Sequence, residues 1–130
     1  MKKIKIVKNI IFNIPEDTIS TSLTWNWDMN GWNGYTRVSH LYSSEAILLE
    51  NPVAQAIIES QGNGFRKMDT LNFSAGVEKD NLSISLYGQN VNDDEYLTTA
   101  FVAVTDFTNT TYFGYPNNYA TYGLTVNYQF

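Results

Sequence analysis

The chain reads as an all-β protein, an antiparallel up-and-down meander of about five strands with a short helix in one loop. Three observations predict this. Apolar and polar side chains alternate with a period of two through most of the sequence, the repeat of a strand with one apolar and one polar face. Tight hairpin turns alternate with long connections. Aromatic residues are plentiful (nine Tyr, seven Phe, three Trp), while charged residues are only 16%, against about a quarter in an ordinary soluble domain.

The first strand is expected over residues 18–27. It sets Ile19, Thr21, Leu23, Trp25 and Trp27 on one face and Thr18, Ser20, Ser22, Thr24 and Asn26 on the other. Asn30-Gly31 closes a hairpin, because that pair tolerates positive φ. The second strand, 32–43, places Thr36, Val38, His40 and Tyr42 opposite Tyr35, Arg37, Ser39 and Leu41. In the long connection that follows, 51–59 reads as a helix, with Asn51 as cap and Pro52 in the first turn, where proline is tolerated. Gln61 to Gly64 stop it.

A third strand over 67–78 places Leu71, Phe73, Ala75 and Val77 against Thr70, Asn72 and Ser74. Lys79-Asp80-Asn81 turns the chain into a fourth, 82–96, with Leu82, Ile84 and Leu86 against Ser83, Ser85, Tyr87 and Gln89. The second long connection, 97–120, is expected as a polar and aromatic loop. In the closing strand, 121–130, Tyr122, Leu124, Val126, Tyr128 and Phe130 alternate with Thr121, Gly123, Thr125, Asn127 and Gln129.

Composition narrows the function classes. A net charge of −5 argues against a nucleic-acid partner, since phosphate contacts need Lys and Arg in quantity. The sequence has no cysteine, hence no disulfide, thiolate metal site or thiol nucleophile. No stretch approaches the roughly 20 apolar residues of a membrane helix. Met1-Lys2-Lys3-Ile4-Lys5 starts like a secretory signal. Lys8 and Asn9 interrupt its apolar core, however, and no small-x-small cleavage site follows. Residues 1–14 are therefore read as a non-signal extension that does not direct export.

The alternation of short and long connections is that of an outer-membrane barrel, with periplasmic turns and extended outer loops. If Phe130 ends on the periplasmic side, both tight turns fall there too. The apolar faces carry no Asp, Glu, Lys or Arg within the spans. Aromatics gather at both edges, Trp25, Trp27, Trp32, Tyr128 and Phe130 at one, Tyr42, Tyr96 and Tyr122 at the other, as in an interfacial girdle. Strands of about 10 residues tilted about 45° cross the hydrocarbon. A soluble β-sandwich would alternate as well.

Asn90-Val91-Asn92-Asp93-Asp94-Glu95-Tyr96 resembles the Asn-hydrophobic-x-Asp-x-x-Tyr element in the penultimate strand of TonB-dependent outer-membrane receptors. In that family, as in residues 116–130 here, the last strand follows a proline-containing loop and ends in Phe. Pro15-Glu16-Asp17-Thr18 resembles the family's entry into an earlier strand. The resemblance covers residues 14–130. It implies that 15–130 is a carboxy-terminal segment of the receptor barrel, a slice of a 22-stranded transmembrane wall, with the plug domain absent. It implies outer-membrane lipid as the surroundings and uptake of siderophores, vitamin B12 or carbohydrates by the full-length receptor with energy from the TonB system. Thr121, Gly123, Val126, Tyr128 and Phe130 resemble the terminal signal read by the barrel-assembly machinery. Tyr112, Phe113 and Tyr115 are the ligand-facing candidates in an external loop. Five strands are too few for a closed bacterial barrel, so the segment is expected not to transport alone.

Other chemistry is sparse. Asp93, Asp94 and Glu95, with Asp106, form a cluster of the kind calcium favours, but their spacing fits no calcium loop, and solvated rim residues are expected instead. His40 is the single histidine, which excludes a multi-histidine zinc site. Arg37 and Glu78 are expected at the lumen or rim. Sequon patterns at Asn72, Asn81 and Asn109 are read as chance. No catalytic residue, metal site or cofactor is expected. Two alternatives stand beside the receptor segment. One is a soluble, aromatic-rich carbohydrate-binding β-module; the other is a small outer-membrane protein that closes a barrel by self-association.

Overall fold

The structure, a computed structural model, describes residues 13–104 and 110–130. In chain order these form β1 (Thr18–Met29), β2 (Trp32–Ile47), α1 (Pro52–Ser60), β3 (Phe65–Lys79), β4 (Leu82–Gln89), β5 (Leu97–Val104), β6 (Thr110–Pro116) and β7 (Thr121–Tyr128). Five strands make one sheet in the order β1-β2-β3-β4-β7, and every neighbouring pair is antiparallel. β5 and β6 form a separate antiparallel pair. Mostly antiparallel β with one short helix is thus the fold class, and the meander has its five strands.

Two expectations need correction. The fourth strand does not run to residue 96; β4 stops at Gln89 because Asn90 takes positive φ (51°) and turns the chain. The second long connection is not a plain loop, since β5 and β6 occupy much of it. Residues 97–104 hold two Thr, two Val and a Phe, types that favour strands, but both faces are partly apolar. The period-two contrast that marks the other strands is missing.

Pairing register turns five amphipathic strands into two continuous faces. Across the sheet, Leu23 lies opposite Val38 and Val38 opposite Phe73. Ile84 faces Val77 on one side and Val126 on the other, and Leu86 faces Ala75 and Leu124. All these side chains point the same way. The other face carries Ser, Thr, Asn and Gln with Tyr35, Arg37 and Tyr87. A slip of one residue at any strand would reverse its contribution. The tight turns hold the register: Asn30 (φ 53°) and Gly31 (φ 76°) both take the positive φ of a type I′ hairpin, and Asp80 (φ 52°) turns β3 into β4.

Glycines opposite aromatics pin the register further. Trp27 pairs with Gly34, Tyr35 with Gly76, Phe73 with Gly88 and Tyr87 with Gly123, and each ring lies where a Cβ on the glycine would sit. Two of these pairs lie on each face. Flat packing of a ring over a bare backbone gives an aromatic cross-strand contact without a rival side chain.

The sheet is one layer. Leu23 is 74% exposed, Trp25 67% and Leu124 68%, so the apolar face has no cover among the described residues. Beyond neighbouring strands, β5 also meets β3. The buried core lies instead at the long-loop end. There Leu48, Leu49, Ile58 and Ala100 cluster with Ala54, Leu97, Val102 and Tyr112. A β-bulge between Ser43 and Ala46 shifts the alternation of β2 as it enters this region. Asn51 caps α1, its Oδ1 accepting from the Val53 and Ala54 N–H groups at 2.9 and 3.1 Å. Buried Gln55 ties the helix down, with Oε1 accepting from the Leu49 N–H and Nε2 donating to the Gly64 carbonyl.

Gly34→Val is expected to expel the Trp27 indole from the sheet. A denaturant titration should show a loss of about 1–3 kcal/mol, with a shift in tryptophan emission.

Candidate functional site

Common parity on the polar face gathers residues from three strands into a trough. Arg37 faces Ser74, Ser39 faces Asn72, and Ser74 in turn faces Tyr87. At the long-loop end the trough is walled by the Asn90 turn and by Tyr96, Asn117 and Tyr119, enclosing about 510 Å³. The Arg37 guanidinium has no hydrogen-bond or ion-pair partner among the described residues. Thr70 on the same lining buries a hydroxyl oxygen that makes no hydrogen bond there. The trough therefore offers one free cation, hydroxyls, amides and tyrosine rings. Such a set holds polar ligands by hydrogen bonds, ring stacking and one charge.

Its upper wall is built from side chains that imitate backbone. Asn90 is 5% exposed, and its Nδ2 donates to the carbonyls of Asp94 and Asn118 at 3.0 and 2.9 Å. Asn90 Oδ1 accepts from the Asp94 N–H, and the Asn90 N–H donates to Asn72 Oδ1. Where β4 has ended, the Asn92 amide continues the ladder along β3. Its Oδ1 accepts from the Leu71 N–H at 2.9 Å and its Nδ2 donates to the Asp69 carbonyl. Asp94 Oδ2 accepts from the Asp69 N–H at 2.6 Å, and Asp93 Oδ1 from the Ala120 N–H at 3.0 Å. Asn117 closes the base of the hairpin, accepting from the Tyr96 N–H and donating to the Asp94 carbonyl.

The acidic run thus has a structural task. Asp93 and Asp94 are each committed to a backbone N–H, and Asp106 lies outside the described residues. Among the described residues no group of three or more His, Cys, Asp or Glu side chains is arranged to hold a metal ion. His40 sits on the apolar face at its long-loop margin, 2.6 Å from Asp69 through Nε2. Glu78 is exposed at the tight-turn end of the polar face.

The three aromatic loop residues part company. They lie on β6, where alternation sends Phe113 and Tyr115 one way and Tyr112 the other. Tyr112 packs against the buried cluster, and its hydroxyl accepts from Asn63 Nδ2 at 3.1 Å. Phe113 and Tyr115 are 48% and 59% exposed. Phe101 of β5 joins them, stacked on Phe113 at 5.3 Å and tilted to Tyr115 at 6.0 Å. Sequence reasoning passed over Phe101 because the strand that presents it was read as loop. Its cross-strand place opposite Phe113 follows once 97–104 is taken as a strand.

The carboxy-terminal residues lie on the free edge of the sheet. Thr121 pairs with Gln89, Gly123 lies beneath the Tyr87 ring, and Val126 and Tyr128 pair with Ile84 and Leu82. Phe130 lies beyond β7 with its ring edge-on to Tyr128 at 5.1 Å. No described helix is long and apolar enough to cross a membrane, which says nothing of strands. Comparisons with protein-family models, with curated proteins and with solved structures find no match.

Asn90→Ala should cost about 2–4 kcal/mol by leaving buried partners unsatisfied. Hydrogen exchange should then quicken over residues 90–120 while β1 to β3 stay protected. Of the β6 aromatics, Tyr112→Ala should cost about 3 kcal/mol, whereas Tyr115→Ala should change stability by less than about 0.5 kcal/mol. Parallel melting curves distinguish the two.

Proposed function

We propose that this chain is a segment of the wall of an outer-membrane β-barrel of the TonB-dependent receptor type, contributing five strands to a closed barrel of about 22. The observation that carries the reading is the sheet itself: one continuous apolar face, one polar face, and, among the described residues, no layer over the first. On β3 the apolar face is bounded by Lys79 at the tight-turn end and Asp69 at the other. Those ten steps cover about 33 Å along the strand. At a tilt near 45° that is about 23 Å of membrane, close to the roughly 25 Å apolar band of outer-membrane barrels. A patch of this size and composition needs lipid or another protein surface against it.

The edges support a wall rather than a complete body. From Thr18 to Trp27, β1 has no charge, proline or glycine, and β7 has no charge or proline. Soluble proteins protect edge strands with such residues. In lipid, each unpaired backbone group costs several kcal/mol, so both edges call for further strands. With five alternating strands, β1 and β7 run in the same direction. Copies inserted the same way up would meet through parallel seams, which weighs against closure by self-association. An odd number of additional strands completes a wall that is antiparallel throughout and even in count.

On this reading the outer-membrane lipid is the partner of the apolar face, and the trough around Arg37 faces the lumen. Phe113 and Tyr115, with Phe101, are the aromatic contacts for a siderophore, vitamin B12 or carbohydrate at the outer mouth. Thr121, Gly123, Val126, Tyr128 and Phe130 are the signal for the assembly machinery. Transport driven by the TonB system belongs to the closed receptor, because five strands enclose no pore.

The trough's amides, tyrosines and single guanidinium favour a second reading, a soluble carbohydrate-binding module. That reading requires the apolar face to be covered. The wall predicts that the chain stays with membranes through an alkaline carbonate wash and is extracted only by detergent. A water-soluble monomer that melts cooperatively without detergent overturns it and leaves the module.

A further inference from the structure

At the tight-turn end of the apolar face, the two hairpin turns and the end of β7 enclose a pocket of about 340 Å³ lined by Trp32, Lys79, Asp80, Asn81, Leu82 and Tyr128. Among the described residues of the apolar face, Lys79 is the one cation at this end, and its Nζ lies 5.8 Å from the Trp32 ring centroid. A Cβ added at Gly31 would fall 3.8 Å from the Lys79 Cε, so the lysine stem runs beside the neighbouring turn. Directly inward the surface is wholly apolar: Leu82 pairs with Tyr128, Ile84 with Val126, and Leu86 with Leu124. The pocket is therefore amphipathic along one line, with charge and ring at the mouth and hydrocarbon below.

We infer that this pocket is a binding site for a glycerophospholipid, with the lipid phosphate at Lys79 and the acyl chains laid along Ile84, Leu86, Leu124 and Val126. The inference rests on the wall reading, which puts this face in lipid. Its chemistry is more specific than immersion. A lysine with its stem on apolar surface and its ammonium at the interface meets the depth of the phosphate layer. Trp32 and Tyr128 belong at the same depth, with apolar bodies and polar handles. Asp80, on the same lining and exposed, supplies an acceptor for a primary ammonium. Phosphoethanolamine thus matches both charges of the mouth, and a neutral diacylglycerol matches neither. A soluble anion would find the cation but leave the apolar floor unused.

The test uses the full chain in maltoside micelles, carrying Trp25→Phe and Trp27→Phe so that Trp32 alone reports. Micelles are doped with phosphatidylethanolamine brominated in its acyl chains or with diacylglycerol bearing the same brominated chains. Trp32 should be quenched by both lipids, with a relative association constant about fivefold higher for the phospholipid. Lys79→Gln should remove that preference, and Lys79→Arg should keep it. Equal quenching by the two lipids, or a preference indifferent to Lys79→Gln, overturns the lipid site and leaves the wall intact. Loss of the preference on adding millimolar free phosphoethanolamine overturns the lipid in favour of a soluble anion. No quenching by either lipid, with a chain soluble without micelles, sinks the wall reading as well.

Discussion

A β-sheet has two faces, and a polypeptide that leaves both open to water must make both polar. This chain does not. Its strands alternate strictly, and their register adds each alternation to the next, so that Ile, Leu, Val, Phe and Trp side chains from five strands reach the same side. Everything else in the structure answers to that. The Asn30-Gly31 turn and the rings over Gly34, Gly76, Gly88 and Gly123 exclude a slip of one residue, which would invert a strand and scatter the apolar face.

The long-loop end obeys a different rule. Beyond the open apolar face the chain buries its own small core, Leu48, Leu49, Ile58 and Ala100. The junction between the two regimes is polar. There Asn90, Asn92, Asp94 and Asn117 replace missing strand neighbours with side-chain hydrogen bonds, so that β3 keeps partners after β4 has turned away. One face of the β5–β6 hairpin joins the core through Tyr112, and the other displays Phe101, Phe113 and Tyr115. The rings are thus held on a packed base without being covered.

Legibility in the sequence followed the contrast between faces. β1, β3, β4 and β7 have one apolar and one polar side, so period two located β1, β3 and β7 within a few residues, and the start of β4. The helix was legible from Asn51, Pro52 and Gly64, whose backbone and capping preferences are local. β5 and β6 were not, because a strand packed on one side and aromatic on the other shows no alternation to read. The end of β4 was missed for a related reason. Gly88-Gln89-Asn90 reads as ladder or as turn, and the choice belongs to Asn72, whose Oδ1 accepts from the Asn90 N–H eighteen residues away in sequence. Of the trough, Arg37 was visible as a lone cation on a polar face, but nothing local joined it to Tyr96, Asn117 and Tyr119.

The sequence by itself determined the strands of the sheet, the two tight turns and the split of side chains between two faces. These depend on φ preferences and on a two-residue repeat, both set by neighbours along the chain. Tertiary structure decided which strand lies beside which and therefore that the apolar residues form one surface. It also decided that Tyr112 turns inward while Phe113 and Tyr115 stay out, and that the acidic run serves backbone N–H groups. The place of Tyr112 and the task of the acidic run depend on partners 25 or more residues away in sequence. Period two says only that a side chain points up or down; what it meets there is fixed when the chain comes back.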